Sequence, residues 1–141
     1  MIWWDGLSVD RSMRDFLRFT QDLIHLRRRY PALCGEGIRV PQVHNYDRII
    51  VVHRWLEGEG RDLLVVASLN ETTLDGYPVD LPWPGRWQEV FNSDLYDHFP
   101  NPGWLAMAAR YLPMTLPANN TPIYTARIRI PANGALVFAR E

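Results

Sequence analysis

Apolar residues recur at three- and four-residue spacings through the first thirty positions, then at two-residue spacings or in short runs through most of the rest. Met13, Phe16, Leu17, Thr20, Leu23, Ile24 and Arg27 fall on one helical face, with apolar groups at five of these seven positions. The spacing predicts a helix over about 9–29. Ser8 or Asp10 can cap it by accepting a bond from an orphan N–H. Arg27, Arg28 and Arg29 occupy the last turn, where cations favour the helix C-terminus. Pro31 stops it, because a residue before proline avoids the α region.

Beyond Pro31 the pattern is of the β type. Ile49 to Leu56 and Leu63 to Asn70 read as two strands of a hairpin, with Glu57-Gly58-Glu59-Gly60 in the loop between them. Tyr77 to Pro82 reads as an edge strand, since proline cannot donate to a ladder. Gly85 to Phe91 reads as a turn and then a strand. Asn92 to Leu112 is irregular, with a turn at Asn101-Pro102-Gly103. Ile123 to Ile130 alternates, placing Tyr124, Ala126, Ile128 and Ile130 on one face. Pro131-Ala132-Asn133-Gly134 then turns the chain into a closing strand, Ala135 to Ala139. One helix followed by about six to eight short strands predicts a mainly β fold: an antiparallel β-sandwich preceded by an α-helix.

Composition narrows the function. At 141 residues the chain is long enough for one domain with its own core. A net charge of −1 argues against nucleic acid and anionic membranes as partners. No apolar run approaches the ~20 residues of a membrane span. One cysteine, Cys34, excludes an internal disulfide and any Cys-x-x-Cys metal motif. The first residues lack the basic start and apolar stretch of a signal peptide, so a cytoplasmic location is expected. Eleven prolines suit a loop-rich β chain, and six tryptophans are many for this length.

Pro84-Gly85-Arg86-Trp87-Gln88-Glu89-Val90-Phe91-Asn92-Ser93-Asp94 resembles a stretch in the C-terminal domain of bacterial 1,4-α-glucan branching enzymes, members of the α-amylase superfamily (glycoside hydrolase family 13). The flanking segments agree. Leu26-Arg27-Arg28-Arg29-Tyr30-Pro31-Ala32-Leu33 resembles the last helix of the catalytic barrel in these enzymes, and Gly134-Ala135-Leu136-Val137-Phe138 resembles their final strand. The chain departs from the family after the motif: Leu95 to Gly103 replaces a loop built around Tyr-Gly-Gly, and Trp104 to Pro122 is unlike the short passage expected there.

The resemblance implies that residues 1–33 are the end of a (β/α)8 barrel and 34–141 the C-terminal sandwich. It implies a parent that cleaves α-1,4 links and transfers the chain to form α-1,6 branches. Retaining chemistry of that kind needs two carboxylates about 5–5.5 Å apart. In the family these sit in the barrel, upstream of its last helix, so no catalytic residue, cofactor or metal is assigned to this chain. The expected partners are the barrel and an α-glucan. Two alternatives stay open: an independent α-glucan-binding module, and the same domain of a debranching or hydrolysing relative. A generic sandwich that binds protein explains neither the leading helix nor the motif.

Exposed indole rings suit the C–H face of a sugar. Trp83 and Trp104, beside proline or glycine turns, are the candidate glucan-stacking residues, with core or interface packing as the plainer reading. Trp87 alternates with Val90-Phe91 and reads as core; Trp3, Trp4 and Trp55 read as packing, with Trp3 and Trp4 facing the absent barrel. Asp94, Asp97 and His98 have the types of an acid–base or metal group, but in a proline-rich loop they read as turn formers. His25 and His53 read as satisfied structural histidines, and Cys34 lacks a partner that would make it a nucleophile.

Overall fold

The computed structural model describes residues 4–96 and 124–141. A short turn of helix α1 (Gly6–Val9) leads into α2 (Arg11–Arg29). Asp10 caps α2, accepting from the Ser12 amide at 2.8 Å. Ser8 is not the cap; its hydroxyl donates to the Asp5 carbonyl. A 3-10 turn over Pro31–Leu33 follows. Seven strands come next: β1 (Gly37–His44), β2 (Ile49–Leu56), β3 (Glu59–Ser68), β4 (Leu74–Leu81), β5 (Trp87–Asn92), β6 (Tyr124–Ile130) and β7 (Ala135–Arg140).

The strands form two antiparallel sheets. The larger has the order β1-β2-β3-β7-β5, and the smaller pairs β4 with β6. Between the sheets lies one core: Ile49, Val51, Leu64, Val66, Leu136 and Phe138 face Val79, Ala126, Ile128 and Ile130, and Trp87 joins the same cluster. The large sheet's other face is covered by α2 and the 3-10 turn. There Leu26, Tyr30 and Ala32 meet Leu63, Phe91, Tyr96, Val137 and Ala139. The central strands are therefore buried on both sides, which is why Leu63-Leu64-Val65-Val66 and Leu136 to Ala139 are unbroken apolar runs. In β2 the helix-side position Ile50 is exposed while Ile49 and Val51 are buried, so burial alternates although Ile49 to Val52 is an unbroken apolar run.

The junction between helix and sheet is held by Arg54. Its guanidinium donates to the carbonyls of Ala32 (3.3 Å), Leu33 (3.5 Å) and Gly35 (2.6 Å). These carbonyls follow the end of α2, where the chain has left helical pairing and needs donors.

Three sequence expectations change. Strand β1 was not expected; it carries Pro41 inside an irregular stretch, where the register shifts between Arg39 and Gln42. Its Gln42 amide reaches across to the smaller sheet, donating to the Pro78 carbonyl at 3.1 Å and accepting from the Asp80 amide at 3.1 Å. The β2–β3 loop is shorter than expected, because β3 already begins at Glu59. His25 is exposed on α2 and needs no internal partner, whereas His53 is buried against Asp62 at 3.0 Å and stacks on Trp55.

Replacing Arg54 by Met should leave three junction carbonyls without their donor and cost about 2–3 kcal/mol. Urea unfolding followed by tryptophan fluorescence measures this; an unchanged midpoint would show that the clamp is dispensable.

Candidate functional site

The segment from Leu81 to Leu95 contains the recognised motif together with Trp83, Trp87 and Asp94. It leaves β4, turns through Pro82-Trp83-Pro84-Gly85, and runs into β5. Gly85 has φ +131°, a conformation that L side chains rarely adopt. Arg86 pairs with Glu141 at 3.0 Å, and the Glu141 amide donates to the Arg86 carbonyl at 2.8 Å, so the turn is tied to the end of β7. The two tryptophans divide roles. Trp87 is buried in the sandwich, and its Nε1 donates to the Trp83 carbonyl at 3.3 Å. Trp83 is 51% exposed. A buried ring thus fixes the backbone that carries an exposed one.

The rest of the motif is structural chemistry. Asn92 is buried; its Oδ1 accepts from the Asp94 amide at 2.9 Å and its Nδ2 donates to Glu89 Oε1 at 3.2 Å. The Ser93 hydroxyl accepts from the Ala135 amide at 2.8 Å. Close approach explains the neighbouring glycine: a Cβ on Gly134 would lie 2.6 Å from the Pro131 ring and 2.9 Å from Ser93 Oγ. Phe91 and Tyr96 pack with Phe19 of α2 at ring-centroid distances of 5.7 and 5.4 Å. The Tyr96 hydroxyl donates to Asp22 Oδ2 at 2.6 Å, bonding this segment to the helix across 74 positions of sequence. Burial, reinforced by the Asp22 carboxylate, pushes the Tyr96 phenol well above its ordinary range.

Beside β5 lies a groove of about 410 Å³, lined by Asp22, His25 and Arg29 on the helix and by Gln88, Glu89 and Asn92 on the strand. Glu89 is the least expected residue here. It pairs with Phe138, so it shares the sandwich face of the sheet, and the register then shifts before Phe91. Its Oε2 is buried with no hydrogen-bond partner among the described residues. Burial pushes the carboxyl up to about 7, against a smaller lowering from the Asn92 amide.

The other expected sites are placed as follows. Trp104, Asp97, His98 and Trp3 lie outside the described residues. Asp94 sits in the 3-10 turn Ser93–Leu95, capped by Asn92. Trp4 is exposed, and Trp55 is half-buried. Cys34 is an exposed free thiol. Among the described residues there is no group of three His, Cys, Asp or Glu side chains placed to hold a metal, and no helix long and apolar enough to cross a membrane. On α2, Phe19 and Leu26 face the sheet. Phe16 and Ile24 are more than half exposed, and Leu23 is also exposed.

Two packed antiparallel sheets, with a helix laid on the larger, define a β-sandwich domain. Residues 41–141 match the model of the alpha amylase C-terminal all-beta domain, and the chain belongs to that family. It is 40% identical over 79 residues to the 1,4-alpha-glucan branching enzyme GlgB of Pseudomonas fluorescens, a match covering 52% of this chain and 10% of that protein. It is 33% identical over 84 residues to the protein of the same name from Marinobacter nauticus, covering 55% of this chain and 13% of the relative. The matched part therefore spans about an eighth or less of these relatives. A crystal structure of alpha-amylase from H.orenii aligns over 84% of this chain and 19% of its own, with TM-score 0.49 and 21% identity.

The Glu89 shift fixes a pH dependence. The folded-state value of about 7 lies above the ordinary 4.5, so the folded chain binds this proton more tightly than the unfolded one. Its contribution is full below 4.5 and is lost as pH rises toward 7. Glu89→Gln should remove that decline and raise stability at pH 8 by on the order of 1 kcal/mol, discounted for the part of the carboxylate that water reaches. Unfolding midpoints across this window test it; parallel curves for the two proteins would refute the assignment.

Proposed function

We propose that this chain is the non-catalytic C-terminal domain of a 1,4-α-glucan branching enzyme that works in the cytoplasm. In this reading residues 1–33 are the end of its barrel and 34–141 the sandwich. The parent would cleave α-1,4 links and re-form them as α-1,6 branches, with its carboxylates on the barrel. The domain's own work is to pack against that barrel and to hold a distal α-glucan. The observation that carries the reading is helix α2. One side of it, with Phe19 and Leu26, is committed to the sheet, while Phe16, Leu23 and Ile24 are exposed. Exposed apolar side chains grouped on one element suit a second protein surface. The identity to two branching enzymes supports the choice of parent.

A free-standing α-glucan module is the second reading, and the exposure of Trp83 favours it. The indole would stack on the C–H face of a glucose ring, and the Trp87–Trp83 bond would hold it in place beforehand.

Two measurements separate these readings. The barrel portion of the Pseudomonas fluorescens relative, supplied without its last helix and its C-terminal domain, should co-purify with this chain. The triple change Phe16→Ser, Leu23→Ser, Ile24→Ser should cut recovery about tenfold, the loss expected when an interface loses its apolar anchors. Equal recovery would sink the docking role. For the second reading, maltoheptaose should change the tryptophan fluorescence saturably, and Trp83→Ala should weaken that response about tenfold. An unaltered response would remove Trp83 from the site.

A further inference from the structure

The hairpin joining β1 to β2 presents an aromatic ring that the fold does not use. Tyr46, in the turn at 45–48, is 92% exposed. The turn beneath it is nonetheless firmly held. Asn70 Nδ2 donates to the Asp47 carbonyl at 3.1 Å, and the Leu69 amide donates to the Arg48 carbonyl at 3.0 Å. Asn70 is itself fixed, its Oδ1 accepting from the Thr72 amide and hydroxyl, both at 2.9 Å. Arg48 takes a positive φ of 54° to close the turn.

Beside Tyr46 stands a linked set of polar groups. The Asp47 carboxylate lies 2.8 Å from His44 Nδ1, and burial, reinforced by the Asp47 charge, raises the Tyr77 phenol above its ordinary range. Tyr77 packs against the sandwich core, and its ring meets the His44 ring edge-on at 6.4 Å. A carboxylate can only accept, so the hydrogen of His44 sits on Nδ1. In the neutral ring Nε2 then has a free lone pair for a hydroxyl donor. The His44 side chain is 52% exposed, so a ligand can reach it. Packing accounts for Tyr77 and Asp47; it does not account for a fully exposed tyrosine, with a tautomer-fixed histidine two residues away, on so constrained a turn.

We propose that this hairpin is an α-glucan contact separate from Trp83, with Tyr46 stacking on the apolar face of a glucose ring and His44 bonding its hydroxyls. The proposal rests on the reading of the chain as a glucan-enzyme domain. A hydroxyl-rich ligand fits because the hairpin offers one amphipathic ring and, in the neutral histidine, one acceptor beside the Asp47 carboxylate. Holding the turn in advance lowers the ordering cost of binding.

The test is an NMR titration of the isotopically labelled chain with maltoheptaose and, separately, with cellohexaose. Resonances of His44, Tyr46 and Asn70 should shift saturably with maltoheptaose. Tyr46→Ala, which removes only an exposed ring, should weaken that response about tenfold while leaving the Trp83 indole response and the thermal midpoint unchanged. His44→Ala should weaken the hairpin response too. Shifts at the Trp83 indole with none at the hairpin would overturn this site and leave the glucan-domain reading intact. A hairpin response to cellohexaose but not maltoheptaose would overturn the α-glucan assignment. No response to either sugar at millimolar concentration would also overturn the site, and assembly with the barrel would then judge the domain reading by itself.

Discussion

The fold depends on one constraint: the large sheet is apolar on both faces at β3 and β7, and each face must be covered. The smaller sheet covers one, through Val79, Ala126, Ile128 and Ile130. Helix α2 and the Pro31–Leu33 turn cover the other. Each fully buried Leu or Val side chain in these layers is worth about 1.5–3 kcal/mol, so neither cover is optional. The helix covers the outer face of the large sheet, and it carries exposed Phe16, Leu23 and Ile24 besides. Arg54 and the Asp22–Tyr96 bond fix its position on the sheet at two separate points.

Much of this was legible in the chain. Helix α2 and β6 were readable because their apolar residues keep the period of the element, and β2 and β7 because each is a short apolar run between turn residues. Strand β1 was not, because Pro41 interrupts it and its exposed Ile38, Val40 and Val43 mix with polar residues instead of alternating cleanly. The β5 motif was recognisable as a string of types, yet the task of each type depends on partners far away. Ser93 answers to Ala135, Asn92 to Glu89, and Tyr96 to an aspartate on the helix. Glu89 illustrates the limit most directly. A local register shift determines which face its neighbours take, and no one-dimensional pattern signals it. The hairpin tip at Tyr46 has no periodicity, so nothing in the sequence alone marks it.

The stretch Pro84 to Asp94 thus works as a folding device. Its indole closes the core, its asparagine caps a turn, and its serine receives an amide from the closing strand. Trp83, on the turn that leads into this stretch, and Tyr46, on a different hairpin, are the aromatic rings left exposed beside it.

Strand β1 is an outer strand of the large sheet, and an outer strand is a template on which another chain could add itself. Pro41 removes one amide from that template, and the irregular register around it spoils the straight row that a second strand would need. Gln42 turns inward and bonds the backbone of β4 with both ends of its amide, as a strand would, so the border of the sandwich is already occupied by the chain itself. The protein thereby keeps exposed Ile38, Val40 and Val43 at its border without offering them as the start of a fibre.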